Sequence, residues 1–221
     1  MSIEYHKIVL IGESGVGKTS IISQFINEKF DSNVLSTFGE QFARKEMQIT
    51  EDKKLTIDLW DTVGQEKHRS ITKIFYKDAE AVIFVYDITD RRSFEEIKKY
   101  WHLAVLENGA SNVIFALVGN KNDLYEKRTV NDEEAIKYAD DINAIFVTTS
   151  AKNASGINEL FKHIGKKIIN PDYDYKKDCG DNKKIEPKPK GDDIPIRQTI
   201  HLNQEDITKD LYVKKKKCCS K

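Results

Sequence analysis

Eight residues near the amino terminus, Gly12-Glu13-Ser14-Gly15-Val16-Gly17-Lys18-Thr19, have the types and spacing for holding phosphate. Glycines let a backbone curl so that successive N–H groups point inward at anionic oxygens. A helix opening at Lys18 adds the partial positive charge of its first turn. Lys18 supplies a point charge, and the Thr19 hydroxyl is a hard oxygen ligand for Mg²⁺. The apolar run Ile8–Ile11 just upstream reads as a strand, which is the context this pattern requires.

Two further loops follow predicted strands and reach the same sheet edge. Asn120-Lys121-Asn122-Asp123 comes after Val113–Val118, and Ser150-Ala151-Lys152 after Ala144–Val147. Guanine offers two adjacent donors, N1–H and the exocyclic amine, and the Asp123 carboxylate can accept both. Adenine would meet it with an acceptor and a C–H. The Ala151 N–H can donate to guanine O6, and the stems of Lys121 and Lys152, with Phe30, can sandwich the base. Each loop alone is a common turn; three elements in order at strand ends are specific.

These motifs resemble the Ras-like small GTPases, with their NKxD and SAK loops, over about residues 5–168. The resemblance implies nucleotide contacts from Ser14, Gly15, Val16, Gly17, Lys18, Thr19, Ser20, Phe30, Asn120, Lys121, Asp123, Leu124, Ser150, Ala151 and Lys152. Trp60-Asp61-Thr62-Val63-Gly64-Gln65-Glu66 ends the third predicted strand and is similar to the family's hydrolysis segment. It implies that Asp61 holds a Mg²⁺-bound water, that Gly64 bonds the γ-phosphate and that Gln65 orients the attacking water. Thr37 would bring a second hydroxyl to Mg²⁺ and also contact the nucleotide. Val63 replaces the family's usual small residue before Gly64, and its β-branch is expected to stiffen the turn and alter hydrolysis or exchange. No Arg is placed over the phosphates, so intrinsic turnover is expected to be slow, with an activating protein adding about 10³–10⁵ in rate.

Within that superfamily the chain resembles the Rab family. Phe38–Phe42, Lys67–Lys77 and Tyr86-Asp87-Ile88-Thr89 look like its signature stretches, and Phe42, Trp60 and Tyr76 fall where Rabs present an aromatic triad. Glu40 and Gln41 depart from the pattern. Asn143–Phe161 looks like the endosomal branch. Lys214–Lys217 followed by Cys218-Cys219 resembles the double-cysteine prenylation signal, two lipids giving stable anchorage. The family implies an exchange factor, a GTPase-activating protein, a GDP-dissociation inhibitor, a Rab escort protein and trafficking effectors as partners. It also implies residence on the cytoplasmic face of intracellular membranes, with a cytosolic pool. A nucleotide-dependent scaffold with little hydrolysis is the alternative; Gln65 and Thr37 argue against it. A P-loop kinase would need an arginine-bearing lid and a second pocket, and neither is legible.

The elements that must position these residues are readable too. Short Val/Ile/Phe runs at Ile8–Ile11, Leu55–Trp60, Ala81–Tyr86, Val113–Val118 and Ala144–Val147 read as buried strands separated by helices. Phe42–Ile49 and Leu55–Trp60, joined by the polar link Thr50–Lys54, read as an antiparallel hairpin. The expected fold is a three-layer α/β P-loop GTPase fold. Its sheet is mostly parallel and six-stranded, with one antiparallel edge strand and helices on both faces. Ser93 with Glu96 predicts a capping box opening a helix that runs to about Glu107, and Asn131 with Glu134 a similar start. Ile157, Leu160, Phe161, Ile164 and Ile168 form one apolar helical stripe.

Of 221 residues, 36 are Lys or Arg and 36 are Asp or Glu. That balance gives no reason to expect nucleic-acid binding. Met1–Glu13 does not read as a signal peptide, and no run approaches the roughly 20 apolar residues of a membrane span. Three cysteines at 179, 218 and 219 make no disulfide framework, which predicts a reducing setting. The organisation expected is a nucleotide-binding domain over 1–170 and a flexible tail over 171–221, opened by Pro171 and dominated by Pro, Asp, Lys and Gly.

Overall fold

The computed structural model describes residues 4–31, 41–62, 77–108 and 112–178. Six strands form one sheet in the order β2-β3-β1-β4-β5-β6. They are β1 (Tyr5–Ile11), β2 (Gln41–Gln48), β3 (Lys54–Asp61), β4 (Ala81–Asp87), β5 (Ile114–Asn120) and β6 (Ile145–Thr148). Every pairing is parallel except β2 with β3, where Phe42 faces Trp60 and Arg44 faces Asp58. The expected fold class and its edge hairpin are both present.

Alternation along each strand distributes side chains to two cores, as a sheet covered on both faces requires. From β1, Ile8 and Leu10 join one core while Val9 and Ile11 join the other. The first core is covered by α1 (Lys18–Asn27) and α5 (Ile157–Ile169). There Phe25 stacks on Phe161 with ring centroids 3.8 Å apart. The predicted α5 stripe is buried at Ile157, Leu160, Phe161 and Ile164, with Ile168 packed at its margin. Truncating Phe161 to Ala would cost about 3–5 kcal/mol.

The second core is covered by α4 (Asp132–Asp141) and by one long helical element. That element comprises α2 (Arg91–Glu96), a π-helical turn (Ile97–Trp101) and α3 (His102–Asn108). Its cap lies three residues before the one predicted at Ser93. Asp90 is the cap, accepting from the Arg92 N–H. Ser93 instead turns inward, where its hydroxyl accepts from the Asp87 N–H and donates to the Asp90 carbonyl. Asn131 caps α4 as expected, accepting from the Glu133 N–H. Glu134, however, pairs with Arg91 at 2.8 Å rather than closing a capping box.

Beyond α5 the chain does not simply leave the domain. Residues 171–178 fold back along α5 and end in the short helix α6 (Tyr175–Asp178). The Tyr173 hydroxyl lies 2.6 Å from His163 Nδ1 and 2.7 Å from an Asp178 carboxylate oxygen. Lys167 donates to the Tyr173 carbonyl and Lys176 to Asp140. Among the described residues, no helix is long and apolar enough to cross a membrane.

Candidate functional site

The loop after β1 is shaped by two close approaches. A Cβ on Gly12 would lie 2.2 Å from the Val85 carbonyl oxygen of β4, and one on Gly17 2.3 Å from the Asn120 amide nitrogen. Gly17 also has a left-handed φ of 98° at the start of α1, where no side chain caps the helix and no acidic residue occupies the first turn. The first N–H groups of α1 are thus held for an anion. Lys18 is only 5 % exposed, and its ammonium donates to the carbonyls of Gly12 (2.8 Å) and Glu13 (3.0 Å). Burial lowers its pKa to about 8, against the opposing pull of Asp61 and Glu13. Ser14 is exposed. The Val16 side chain belongs to the core, so only its backbone can meet a ligand.

Thr19 and Asp61 meet directly, the hydroxyl donating to Asp61 Oδ2. Asp61 is buried, and its Oδ1 has no hydrogen-bond partner among the described residues. Burial raises its pKa, outweighing the Thr19 hydrogen bond and the Lys18 charge. A hydroxyl and a carboxylate with an orphaned lone pair, side by side, suit a hard divalent cation such as Mg²⁺. The next residue, Thr62, is anchored by its hydroxyl to the Leu10 carbonyl at 2.7 Å, a tie that no sequence signal disclosed.

Beside the phosphate loop opens a pocket of about 430 Å³ at the carboxyl ends of the parallel strands. It is lined by Gly15, Gly17, Ser20, Phe30 and Asp31 together with Asn120, Lys121, Asp123, Leu124, Ala151 and Lys152. The sequence-predicted base residues are therefore together. Asp123 is oriented by Ser150, whose hydroxyl donates to Oδ1 at 2.6 Å, and Lys152 Nζ stands 3.9 Å from Oδ2. Buried Asn120 joins all three loops. Its amide donates to the Val16 carbonyl, and its Oδ1 accepts from the Thr149 hydroxyl and, at 3.3 Å, from the Ala151 N–H.

Lys121 sits in the left-handed region, and its ammonium lies 2.7 Å from Asp87 Oδ2. Asp87, at the end of β4, is fixed in turn by the Thr89 N–H and hydroxyl. The charge partner of Lys121 is not legible from the sequence, because Asp87 is remote from it along the chain. Phe42 and Trp60 form an edge-on pair with centroids 5.3 Å apart. Thr37, Val63, Gly64, Gln65, Tyr76, Cys218 and Cys219 lie outside the described residues.

A glycine-shaped loop after the first strand, with its lysine at the start of α1, and a pocket closed by the loops after the last two strands define a protein of the P-loop class. Residues 7–170 match the sequence profile of the Ras family. Human Ras-related protein Rab-22A is 41% identical over 172 residues, covering 78% of this chain and 88% of that protein. Dog Rab-13 is 40% identical over 163 residues (74% and 79%), and mouse Rab-31 40% over 168 (76% and 85%). The chain belongs to the Ras family and is a Rab-type small GTPase, a hydrolase acting on GTP in vesicle trafficking.

Proposed function

We propose that the pocket holds GDP or GTP with Mg²⁺ and that the chain cycles between the two as a membrane-anchored switch. One observation carries the reading: Gly15 and Gly17 of the phosphate loop and Asp123, Lys121 and Ala151 of the base loops line one pocket. Its dimensions and donors suit a nucleotide lying with phosphates at α1 and guanine against Asp123. In this reading the Asp123 carboxylate accepts from guanine N1–H and the exocyclic amine. The stems of Lys121 and Lys152 cover the ring with Phe30, and Ser14 to Ser20 and Leu124 complete the contacts.

Lys18 then exchanges its two carbonyl partners for β- and γ-phosphate oxygens, and the α1 N–H groups complete the cradle. Thr19, Thr37 and Asp61 would hold magnesium, directly or through water, and the ion when bound neutralises charge on the phosphates. Gln65 orients the water that attacks the γ-phosphorus, releasing phosphate and GDP. Thr37 and Gly64 follow the γ-phosphate inward, and hydrolysis lets them go. With no arginine of the chain's own assigned to the phosphates, turnover is slow until an activating protein supplies one.

Residues 1–170 form the switch and 171–221 the tail, which prenylation at Cys218 and Cys219 fixes to the cytoplasmic face of intracellular membranes. Lys214–Lys217 add about 1 kcal/mol each at an anionic leaflet. The likeness of Asn143–Phe161 to the endosomal branch supports endosomal membranes as its site of action. An exchange factor, a GDP-dissociation inhibitor, a Rab escort protein and effectors act on it, and a soluble pool exists while the lipids are shielded.

A single-turnover GTP assay tests the switch: slow hydrolysis, accelerated about 10³-fold or more by an arginine-supplying activator, is expected. Absence of hydrolysis in both arms would favour the scaffold alternative. Imaging a Cys218/Cys219 double serine variant tests the anchor; membrane attachment as in the natural chain would refute it.

A further inference from the structure

Glu13, inside the phosphate loop, is held from both ends. Its backbone carbonyl accepts from the Lys18 ammonium at 3.0 Å, and its side-chain Oε1 accepts from the Trp101 indole N–H at 3.1 Å. Both side chains are withdrawn from solvent, Glu13 to 8 % exposure and Trp101 to 2 %. A buried carboxylate is stabilised by each donor it accepts from, so the indole matters to where Glu13 sits. Trp101 arrives from the other covering layer of the sheet. It is the last residue of the π-helical turn Ile97–Trp101, which adds a residue to one turn and re-aims the side chains that follow. Such turns concentrate at functional positions.

We propose that Glu13 and Trp101 are a positioning couple for the phosphate loop. The indole fixes the carboxylate, the carboxylate fixes the backbone of residues 12–14, and that backbone sets where Lys18 and the loop N–H groups meet the β-phosphate. Neither side chain touches the nucleotide. The couple also ties the loop to the helical element over 91–108, so a force on that helix is passed to the phosphates by way of this hydrogen bond. This rests on the reading of the pocket as a GDP/GTP site, and it adds a determinant remote in sequence from every nucleotide-binding motif.

The test is the rate at which full-length protein releases fluorescently labelled GDP. The natural chain's own GDP binding is measured first, and its absence would refute the reading of the pocket. Ratios between variants then decide the couple. Trp101→Phe and Glu13→Ala are each expected to speed GDP release about tenfold, the loss of one hydrogen bond to a charged group. The double variant should be no faster than either single one. Glu13→Gln keeps an oxygen acceptor for the indole and should stay within about threefold of the natural rate. Release of labelled GMP, which lacks the β-phosphate, should change less than about twofold, whereas a damaged fold would release both nucleotides faster.

Multiplicative effects in the double variant would overturn the proposal. So would Glu13→Gln behaving like Glu13→Ala, or equal acceleration of GMP. Should Trp101→Phe fail to fold, the comparison of Glu13→Ala with Glu13→Gln, on GDP against GMP, decides the matter alone.

Discussion

The Asn120 side-chain amide donates to the backbone carbonyl of Val16 at 2.8 Å, joining residues separated by most of the sheet's sequence. Its oxygen accepts from Thr149 and Ala151, so one buried amide aligns the phosphate loop with both base loops. Asn120→Ala would leave the Val16 carbonyl, the Thr149 hydroxyl and the Ala151 N–H without this partner in a buried setting. The expected loss is about 2–3 kcal/mol of stability together with faster release of GDP. Urea unfolding and nucleotide-release kinetics on the same variant check both. Loss of stability alone would mean that the bond serves the fold and not the site.

Lys18 makes binding pH-dependent in a definite direction. In the folded chain its pKa is lowered from an ordinary 10.5 to about 8, mainly by burial. Phosphate would favour the charged form and raise it again. Above about pH 8, GDP binding must therefore take up a proton, and affinity should fall by up to about tenfold per pH unit. Stability without nucleotide should move the other way. Between pH 8 and 10.5 the unfolded chain binds the extra proton, so the folded state gains as pH rises through that window. Calorimetric titration between about pH 7 and 9 checks the first trend; a flat GDP affinity would argue against Lys18 contacting phosphate.

Asp61 Oδ1 gives a prediction for metal removal. Chelating Mg²⁺ should speed GDP release from the natural chain by about tenfold or more, since the ion neutralises phosphate charge. Asp61→Ala should release GDP quickly from the outset and respond little to chelator. A variant that responded as strongly as the natural chain would remove Asp61 from the metal site.

The segment 171–178 offers a separate stability prediction. Tyr173→Phe keeps the ring that stacks on His163 but deletes the hydroxyl between His163 and Asp178. A cost of about 1 kcal/mol is expected, with faster amide exchange over 171–178 and little change elsewhere. Unchanged exchange there would show that the remaining contacts, the ring packing and the bonds from Lys166, Lys167 and Lys176, hold the segment without that hydroxyl.

The sequence made much of this legible because two periodicities and one loop pattern carry strong signals. The apolar runs at Ala81–Tyr86 and Val113–Val118 read as buried strands and are strands Ala81–Asp87 and Ile114–Asn120, and the α5 stripe from Ile157 to Ile164 marks its inner face. Gly12 and Gly17 mark the phosphate loop because a Cβ at either would collide with the Val85 carbonyl or the Asn120 amide, and Lys18 follows at the spacing a phosphate requires.

What escaped depended on tertiary partners. Ser93 has the spacing of a cap, yet Asp90 stands earlier and takes the role, leaving the serine to satisfy backbone groups of Asp87 and Asp90 inside. The π-helical turn has no residue-type signature at all. Composition after Pro171 argues for a chain that cannot bury much; over 171–178, Tyr173, Tyr175 and Asp178 still find His163, Lys166 and the core margin. Long-range pairs such as Asp87 with Lys121 are visible only once the strands are ordered.

Everything depends on Lys18 and Asp123 serving one bound nucleotide, and calorimetric competition of GDP against ADP on the purified chain tests that most directly. GDP should occupy one site, with ADP about 10⁴-fold weaker, because adenine leaves the Asp123 carboxylate facing an acceptor and a C–H. Comparable affinities for the two, or no binding of either, would contradict it.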